Sequence, residues 1–278
     1  MEILDGKKMK QEILDELKEE VNHLDVKPNF VVIQIGDDEA SNVYIKQKAK
    51  MAEYIGYGYA HIKLPYETTE ELLLNKIQEL NSDDNINGIL VQMPLPKHID
   101  VDKVQNMITY TKDIDGLSDI NSGRLFHGKD ALFSCTPYGV MELLQRYNID
   151  PAGMNAVVVG RSILVGKPMA AMLTNANATV TLCHSKTKNL SDITRKAELL
   201  IVTVCKSKLI TEDMVSNNAI VIDVGISRID NELCGDVDFD KVSKKVKYIT
   251  PVPGGVGPMT VAMLGKNILT AYKIQKEG

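Results

Sequence analysis

Apolar residues along the chain fall into two alternating patterns. Short runs rich in apolar residues at 30–35 (FVVIQI), 88–92 (GILVQ), 156–159, 179–183, 199–204 and 219–224 read as strands, those at 30–35, 88–92 and 156–159 as buried ones, and 60–64 reads as a further strand. Between them lie segments with helical spacing: 9–21, with Ile13, Leu14 and Leu17 on one side, a helix from Ser41 as N-cap through Ala52 with a stop near Gly56, and one from Thr68 or Thr69 through Leu80. Further helices are expected from Thr136 or Pro137 to Tyr147, after Gly166, and over about 260–274. Strands alternating with helices predict an α/β protein with parallel sheets. The pattern forms two blocks. Residues 1–120, completed by the last helix at about 260–278, are expected to make one α/β domain, and 121–259 a second, Rossmann-like one. The Gly- and Ser-containing stretch from Asp115 to Pro137, poor in apolar runs, is the expected boundary.

With 278 residues, 44% apolar and 25% charged, the chain is long enough for two buried cores. A net charge of −5 gives no bulk attraction to nucleic acid or to an anionic membrane. The longest apolar runs are strand-sized and too short to span a bilayer. The first residues have neither a basic stretch nor an apolar one of the kind that directs secretion. Cys135, Cys183, Cys205 and Cys234 are widely spaced with no C-x-x-C pair, which predicts reduced thiols in a cytoplasmic protein, no disulfide framework and no zinc site.

The run at 156–159 leads into Gly160-Arg161-Ser162-Ile163-Leu164-Val165-Gly166, a strand-turn-helix. A helix N-terminus after a glycine turn suits a phosphate, although G-x5-G is a weaker signature than G-x-G-x-x-G. A dinucleotide fold that prefers NAD places an acid about 20 residues beyond the turn to grip the ribose hydroxyls. No acid occurs between Gly160 and Asp192, and the expected place reads Cys183-His184-Ser185-Lys186-Thr187-Lys188. That end suits a 2′-phosphate, so NADP is the expected cofactor. Arg161, with its fixed fork of donors, and Ser185 are the candidate ligands; Ser185 equally suits capping its own loop. Asp223 ends a later strand and is expected to stabilise a turn.

Tyr44 and Lys48, four apart on one helix, share a face. The same pair occurs in short-chain dehydrogenases, but there it follows the glycine turn. Here it precedes that turn by more than one hundred residues. Gln92-Met93-Pro94-Leu95-Pro96 fixes Gln92 at the carboxyl edge of a strand, where parallel sheets bind ligands. In Asp113-Ile114-Asp115-Gly116, a carboxylate can accept two N–H donors of a heterocycle or close an Asx turn before Gly116. The segment from Thr250 to Thr260 holds three prolines and three glycines, and it reads as a rigid, ligand-facing wall ahead of the last helix.

These pieces, together with Cys135-Thr136-Pro137-x-Gly139, Gly160-Arg161-Ser162, Cys183-His184-Ser185 and the loop from Pro251 to Thr260, run in order over almost the whole chain. The chain thereby resembles the bifunctional methylenetetrahydrofolate dehydrogenase/cyclohydrolase family. The resemblance implies NADP-dependent oxidation of 5,10-methylenetetrahydrofolate to the methenyl cation, then hydrolysis to 10-formyltetrahydrofolate, in a cleft between two domains. It implies Lys48 as acid/base, Gln92 to hold it, Tyr44 at the substrate ring and Asp115 on the pterin. It places Pro253, Gly254, Gly255 and Val256 along the folate, and Gly160, Arg161, Ser162, Ser185 and Ile226 on the nucleotide. It also implies a cytoplasmic homodimer supplying one-carbon units, as in purine biosynthesis. The chain departs from the family pattern in three places: Ser134 before Cys-Thr-Pro, Ile163 after Arg-Ser, and Cys205-Lys206-Ser207 in place of Gly-Lys-Pro beside the expected nicotinamide. A member with one activity, a member using NAD, and a folate or nucleotide sensor without turnover remain the alternatives; the last would be expected to lack one of Tyr44, Lys48, Gln92 or Asp115.

Overall fold

A computed structural model describes residues Met1–Ile229 and Glu232–Glu277; Asp230, Asn231 and Gly278, inside the expected domain ranges, lie outside it. In chain order the elements are β1 (Glu2–Ile3), α1 (Gly6–Asn22), β2 (Asn29–Ile35), α2 (Glu39–Ile55), β3 (Gly58–Leu64), α3 (Glu70–Asn81), β4 (Gly88–Val91), α4 (Val101–Met107), α5 (Asp119–Phe126) and α6 (Cys135–Arg146). There follow β5 (Asn155–Val159), α7 (Gly166–Asn175), β6 (Thr179–Cys183), α8 (Leu190–Thr194), β7 (Leu199–Val202), β8 (Ile220–Asp223), β9 (Ser227–Ile229), β10 (Glu232–Cys234), α9 (Phe239–Val242), β11 (Tyr248–Ile249) and α10 (Val256–Glu277).

The chain forms two compact units, one of Gln11–Cys135 with Val261–Gly278, the other of Met1–Lys10 with Thr136–Thr260. The first is built on a parallel sheet in the order β3-β2-β4. Six of the seven residues of β2 are buried, Gln34 among them, as expected of a central strand covered on both faces. Leu73 and Ile77 of α3 pack with Val31, Ile33, Ile89 and Val91 on one face. On α10, Gly265 lies against Leu17, Ile55 and Met51, and its carbonyl accepts a 2.9 Å hydrogen bond from the buried Tyr57 hydroxyl.

The second unit holds a six-stranded sheet in the order β1-β11-β8-β7-β5-β6, parallel throughout, with a core that includes Val157, Leu200, Val202, Val221 and Ile249. It is the Rossmann-like sheet expected from the runs at 156–224. Successive strands β6 and β7 lie on opposite sides of β5, so the strand order reverses there and a crevice opens at the carboxyl ends of β5 and β7.

The unit boundaries differ from the expected 120/121. Residues 121–135 stay with the first unit because Asn121 is bound into it. Its side-chain amide donates to Tyr110 O at 2.9 Å and to Asp113 at 3.0 Å, and its oxygen accepts from Leu132 N at 3.4 Å. Residues 1–10 go to the second unit, where β1 pairs with β11.

Helix ends follow local chemistry. Thr69 is the N-cap of α3, its hydroxyl accepting from Leu72 N at 3.3 Å, and Gly56 closes α2 in the left-handed conformation. Thr69→Ala should lower stability by about 1 kcal/mol, measured as a smaller free energy of unfolding in urea; no change would show that water replaces the cap. For α2, Asp38 and not Ser41 is the N-cap. Its carboxylate accepts from Ser41 N at 2.7 Å and from the Ser41 hydroxyl at 2.8 Å.

Candidate active site

Helix α2 carries Tyr44 and Lys48, and the loop after β4 carries Gln92. The half-buried Lys48 donates from Nζ to Gln92 Oε1 at 2.8 Å. Gln92 is held in turn, its Nε2 donating to Met93 O at 2.8 Å, and the same carbonyl accepts from the Ser41 hydroxyl at 3.0 Å. Ser41 thus ties the first turn of α2 to the Gln92 loop, a role that a reading of it as a cap misses. Tyr44, one turn before Lys48, is 52% exposed and leaves its ring free to meet a ligand.

Lys112-Asp113-Ile114-Asp115 divides its chemistry. Lys112 is buried and caps α3, its ammonium reaching Leu80 O, Asn81 O and Asp83 O at 3.2, 2.8 and 2.8 Å. Asp113 makes the turn: its carboxylate accepts from Gly116 N, Ser118 N and Asn121 Nδ2 at 3.1, 2.8 and 3.0 Å. Asp115 is therefore released from the Asx role and faces the site. Cys135 Sγ lies 3.9 Å from Asp115 Oδ1, and Asn267 of α10 fixes this corner by donating to Ile114 O at 2.9 Å and Phe133 O at 2.8 Å.

Burial pulls the Lys48 ammonium below the ordinary lysine range, and the Asp115 charge opposes it. Burial likewise raises the Asp115 carboxyl above its usual range, with Lys48 opposing and Asp113 adding to the rise. Both groups move toward neutrality, where an acid or base works best. The Cys135 thiol is driven well above its ordinary value, by burial first and the Asp115 charge second. It stays protonated and is not a nucleophile. Asp115→Asn removes the anion that favours the ammonium, so the Lys48 titration should move to lower pH. The acid limb of a cyclohydrolase pH–rate profile, where Lys48 loses its proton and becomes a base, reads this shift; movement to higher pH would overturn the pairing.

In the second unit, Gly160 follows β5 with φ +129°, and a Cβ there would meet Thr203 O at 2.3 Å. A Cβ on Gly166 would lie 2.1 Å from Gly160 O. The turn admits no side chain at either place, which lets a phosphate approach backbone and helix end closely. Ser162 Oγ accepts from Val165 N at 3.2 Å and Gly166 N at 3.4 Å, so this serine shapes the turn. Arg161 and Ser185 are exposed. The loop after β6 is closed by Thr187, whose hydroxyl accepts from His184 N at 2.8 Å, so the capping role open to Ser185 falls to Thr187. This acid-free edge fits a nucleotide with a 2′-phosphate.

Asp223 does stabilise turns. Its buried carboxylate accepts from Gly225 N, Asp236 N and Val237 N at 3.2, 3.0 and 2.9 Å, while burial pushes its pKa up to about 7. Ile226 is 44% exposed, and a Cβ on Gly257 would meet its side chain at 3.8 Å. Pro253, Gly254 and Gly255 precede α10, which Val256 begins, four residues earlier than expected. Among the described residues, no group of three His, Cys, Asp or Glu could hold a metal ion, and no helix is long and apolar enough to cross a membrane.

Residues 4–115 match the model of the tetrahydrofolate dehydrogenase/cyclohydrolase catalytic domain, and 134–276 that of the tetrahydrofolate dehydrogenase/cyclohydrolase NAD(P)-binding domain. The chain is 52% identical over 281 aligned positions to the bifunctional protein FolD of a Nitratiruptor species, covering 99% of each. The crystal structure of the bifunctional enzyme FolD from Campylobacter jejuni superposes with a TM-score of 0.97 at 48% identity, covering 99% of each chain. That of the Trypanosoma brucei enzyme, complexed with NADP cofactor and inhibitor, gives 0.93 at 35% identity, covering 99% of this chain and 98% of that one.

Proposed function

The chain belongs to the tetrahydrofolate dehydrogenase/cyclohydrolase family, and from that membership we propose that both of its reactions take place beside Lys48, with NADP as the cofactor. The protein oxidises 5,10-methylenetetrahydrofolate to 5,10-methenyltetrahydrofolate and hydrolyses that product to 10-formyltetrahydrofolate. The observation that carries the site is the Lys48–Gln92 hydrogen bond of 2.8 Å beside the raised carboxyl of Asp115.

NADP, when bound, supplies the hydride acceptor. Gly160, Arg161, Ser162, Ser185 and Ile226 hold it, Arg161 and Ser185 taking the 2′-phosphate. Tyr44 stacks on the substrate ring, Asp115 accepts from the pterin N–H donors, and Pro253, Gly254, Gly255 and Val256 line the folate side. Loss of hydride from the methylene carbon needs no proton transfer. The hydrolysis does: water adds to the methenyl carbon and loses a proton, and the C–N5 bond then breaks as N5 gains one, while the hydroxyl left on the carbon releases its own proton to solvent as the formyl C=O forms. Lys48, its ammonium weakened by burial, takes the first proton and returns it to N5. Gln92 accepts a hydrogen bond from Lys48 Nζ and aims it.

The reaction class implies a place in one-carbon metabolism, including the supply of purine biosynthesis. Four free cysteines support a reducing cytoplasm, and the family resemblance supports a homodimer.

The test is an absorbance assay on methylenetetrahydrofolate with NADP and with NAD, following reduced nucleotide and methenyl product together. Reduction of NADP with only transient methenyl accumulation is expected. Preference for NAD, or methenyl product that persists as in buffer, would replace this reading with the NAD-using or single-activity alternative.

A further inference from the structure

The loop after β7 is one wall of the crevice where the strand order reverses, opposite the Gly160 turn. It departs from the family pattern at Cys205, which sits in the left-handed region at φ +54°. A non-glycine residue is strained there, because its Cβ crowds the following carbonyl oxygen, so something must hold it. Three successive N–H groups of this loop point at one carboxylate: Val204 N and Cys205 N donate to Asp236 Oδ2 at 2.7 and 3.1 Å, and Lys206 N to Oδ1 at 2.6 Å. Asp236 has no solvent exposure. Its own backbone N–H is anchored on the carboxylate of Asp223, whose N–H in turn donates to Thr250 Oγ1 at 2.7 Å at the start of the Pro-Gly loop. The fit is close: a Cβ on Gly225 would fall 2.1 Å from the Asp236 carboxyl.

A buried carboxylate satisfied entirely by the backbone of one loop sets the shape of that loop, and this loop borders the expected nicotinamide position. We propose that Asp236 is a positioning residue for the cofactor: it holds Val204-Cys205-Lys206 in the conformation that receives the nucleotide, and Asp223 holds Asp236. The proposal rests on the cofactor assignment made above. The Asp236 carboxylate binds backbone N–H groups of its own unit, so its effect is expected on nucleotide binding and not on the folate chemistry.

The test uses the whole protein and two variants. Asp236→Asn keeps the shape but leaves one oxygen to serve three donors. Asp223→Asn keeps an oxygen for Gly225 N and Asp236 N and is the milder change. In the protein without nucleotide, the amide hydrogens of Val204, Cys205 and Lys206 should exchange at least about tenfold faster in Asp236→Asn, since hydrogen bonds to a charged group are worth about 1.5–3 kcal/mol. The NADP KM and the fluorescence-measured NADPH Kd should rise by a similar factor, with a smaller rise in Asp223→Asn. The dehydrogenase kcat at saturating NADP should hold within about threefold. Unchanged exchange and Kd in both variants would overturn the proposal. So would losses of kcat and of cyclohydrolase turnover as large as the loss of nucleotide affinity, which would mean a general structural role. If Asp236→Asn does not fold, the same readouts on Asp223→Asn decide. The wild-type assay separates failure here from failure of the cofactor assignment: a wild type that reduces NADP while both variants keep its KM sinks only the positioning role.

Discussion

Lys48→Ala is expected to bring hydrolysis of methenyltetrahydrofolate close to the buffer rate, a loss of about 10²–10⁴-fold for a group that moves a proton in the transition state. The substitution removes the amine that donates to Gln92 at 2.8 Å and leaves the adjacent Asp115 carboxyl without the cation that opposes its rise. The dehydrogenase step should suffer less, because departure of hydride leaves no proton to be managed. NADP binding should be nearly intact, since the glycine turn and the edge of β6 lie in the other unit of the chain. The decay of methenyltetrahydrofolate absorbance, followed with and without enzyme, checks the first expectation, and NADPH fluorescence titration checks the last. Hydrolysis that stays well above the buffer rate would remove Lys48 from the centre of the mechanism. A parallel collapse of NADP binding would mean that the substitution had disturbed the fold instead.

What the chain discloses in its sequence is what local chemistry decides. The apolar runs at 30–35 and 156–159 are central strands because a short stretch apolar on successive residues is buried on both faces of a sheet with its backbone paired to a strand on either side. Gly56 and Thr69 act as expected because a cap is a contact over three or four residues. The misses come from long-range partners. Asp38 displaces Ser41 as the cap, since the Ser41 hydroxyl also bonds the carbonyl of Met93, 52 positions away. Lys112, Asp113 and Asp115 look equivalent in one dimension; only the position of the α3 carbonyls and of the Gly116 turn separates a cap, a turn and a site carboxylate. β1 has two residues and no pattern of its own, and exists because β11 offers it an edge. Asp236 carries no local signal at all, because its role lies in N–H groups about 30 residues earlier.

Replacing both Arg161 and Ser185 by Ala should weaken NADP by about 10²–10³-fold and NAD by little, since hydrogen bonds involving a charged group contribute about 1.5–3 kcal/mol each. The difference between the two nucleotides is a single phosphate with close to two negative charges, so only groups that meet it discriminate. Two features make these residues the candidates. Both are exposed, one at the carboxyl end of β5 and the other at that of the adjacent β6. No acid occurs in the sequence between Gly160 and Asp192 to favour a ribose diol at that edge, while Thr187 has taken over the closing of the loop and leaves Ser185 to a ligand. The single variants apportion the effect. Arg161→Ala should carry most of it, because a guanidinium offers charge and two parallel donors where a hydroxyl offers one bond. Dissociation constants for NADPH and NADH, measured on both single variants and the double at two salt concentrations, give the comparison. The Arg161 contribution should shrink as salt rises, because an exposed charge pair is screened. Equal losses for the two nucleotides would detach both residues from the 2′-phosphate and assign them to the part of the cofactor that NAD and NADP share.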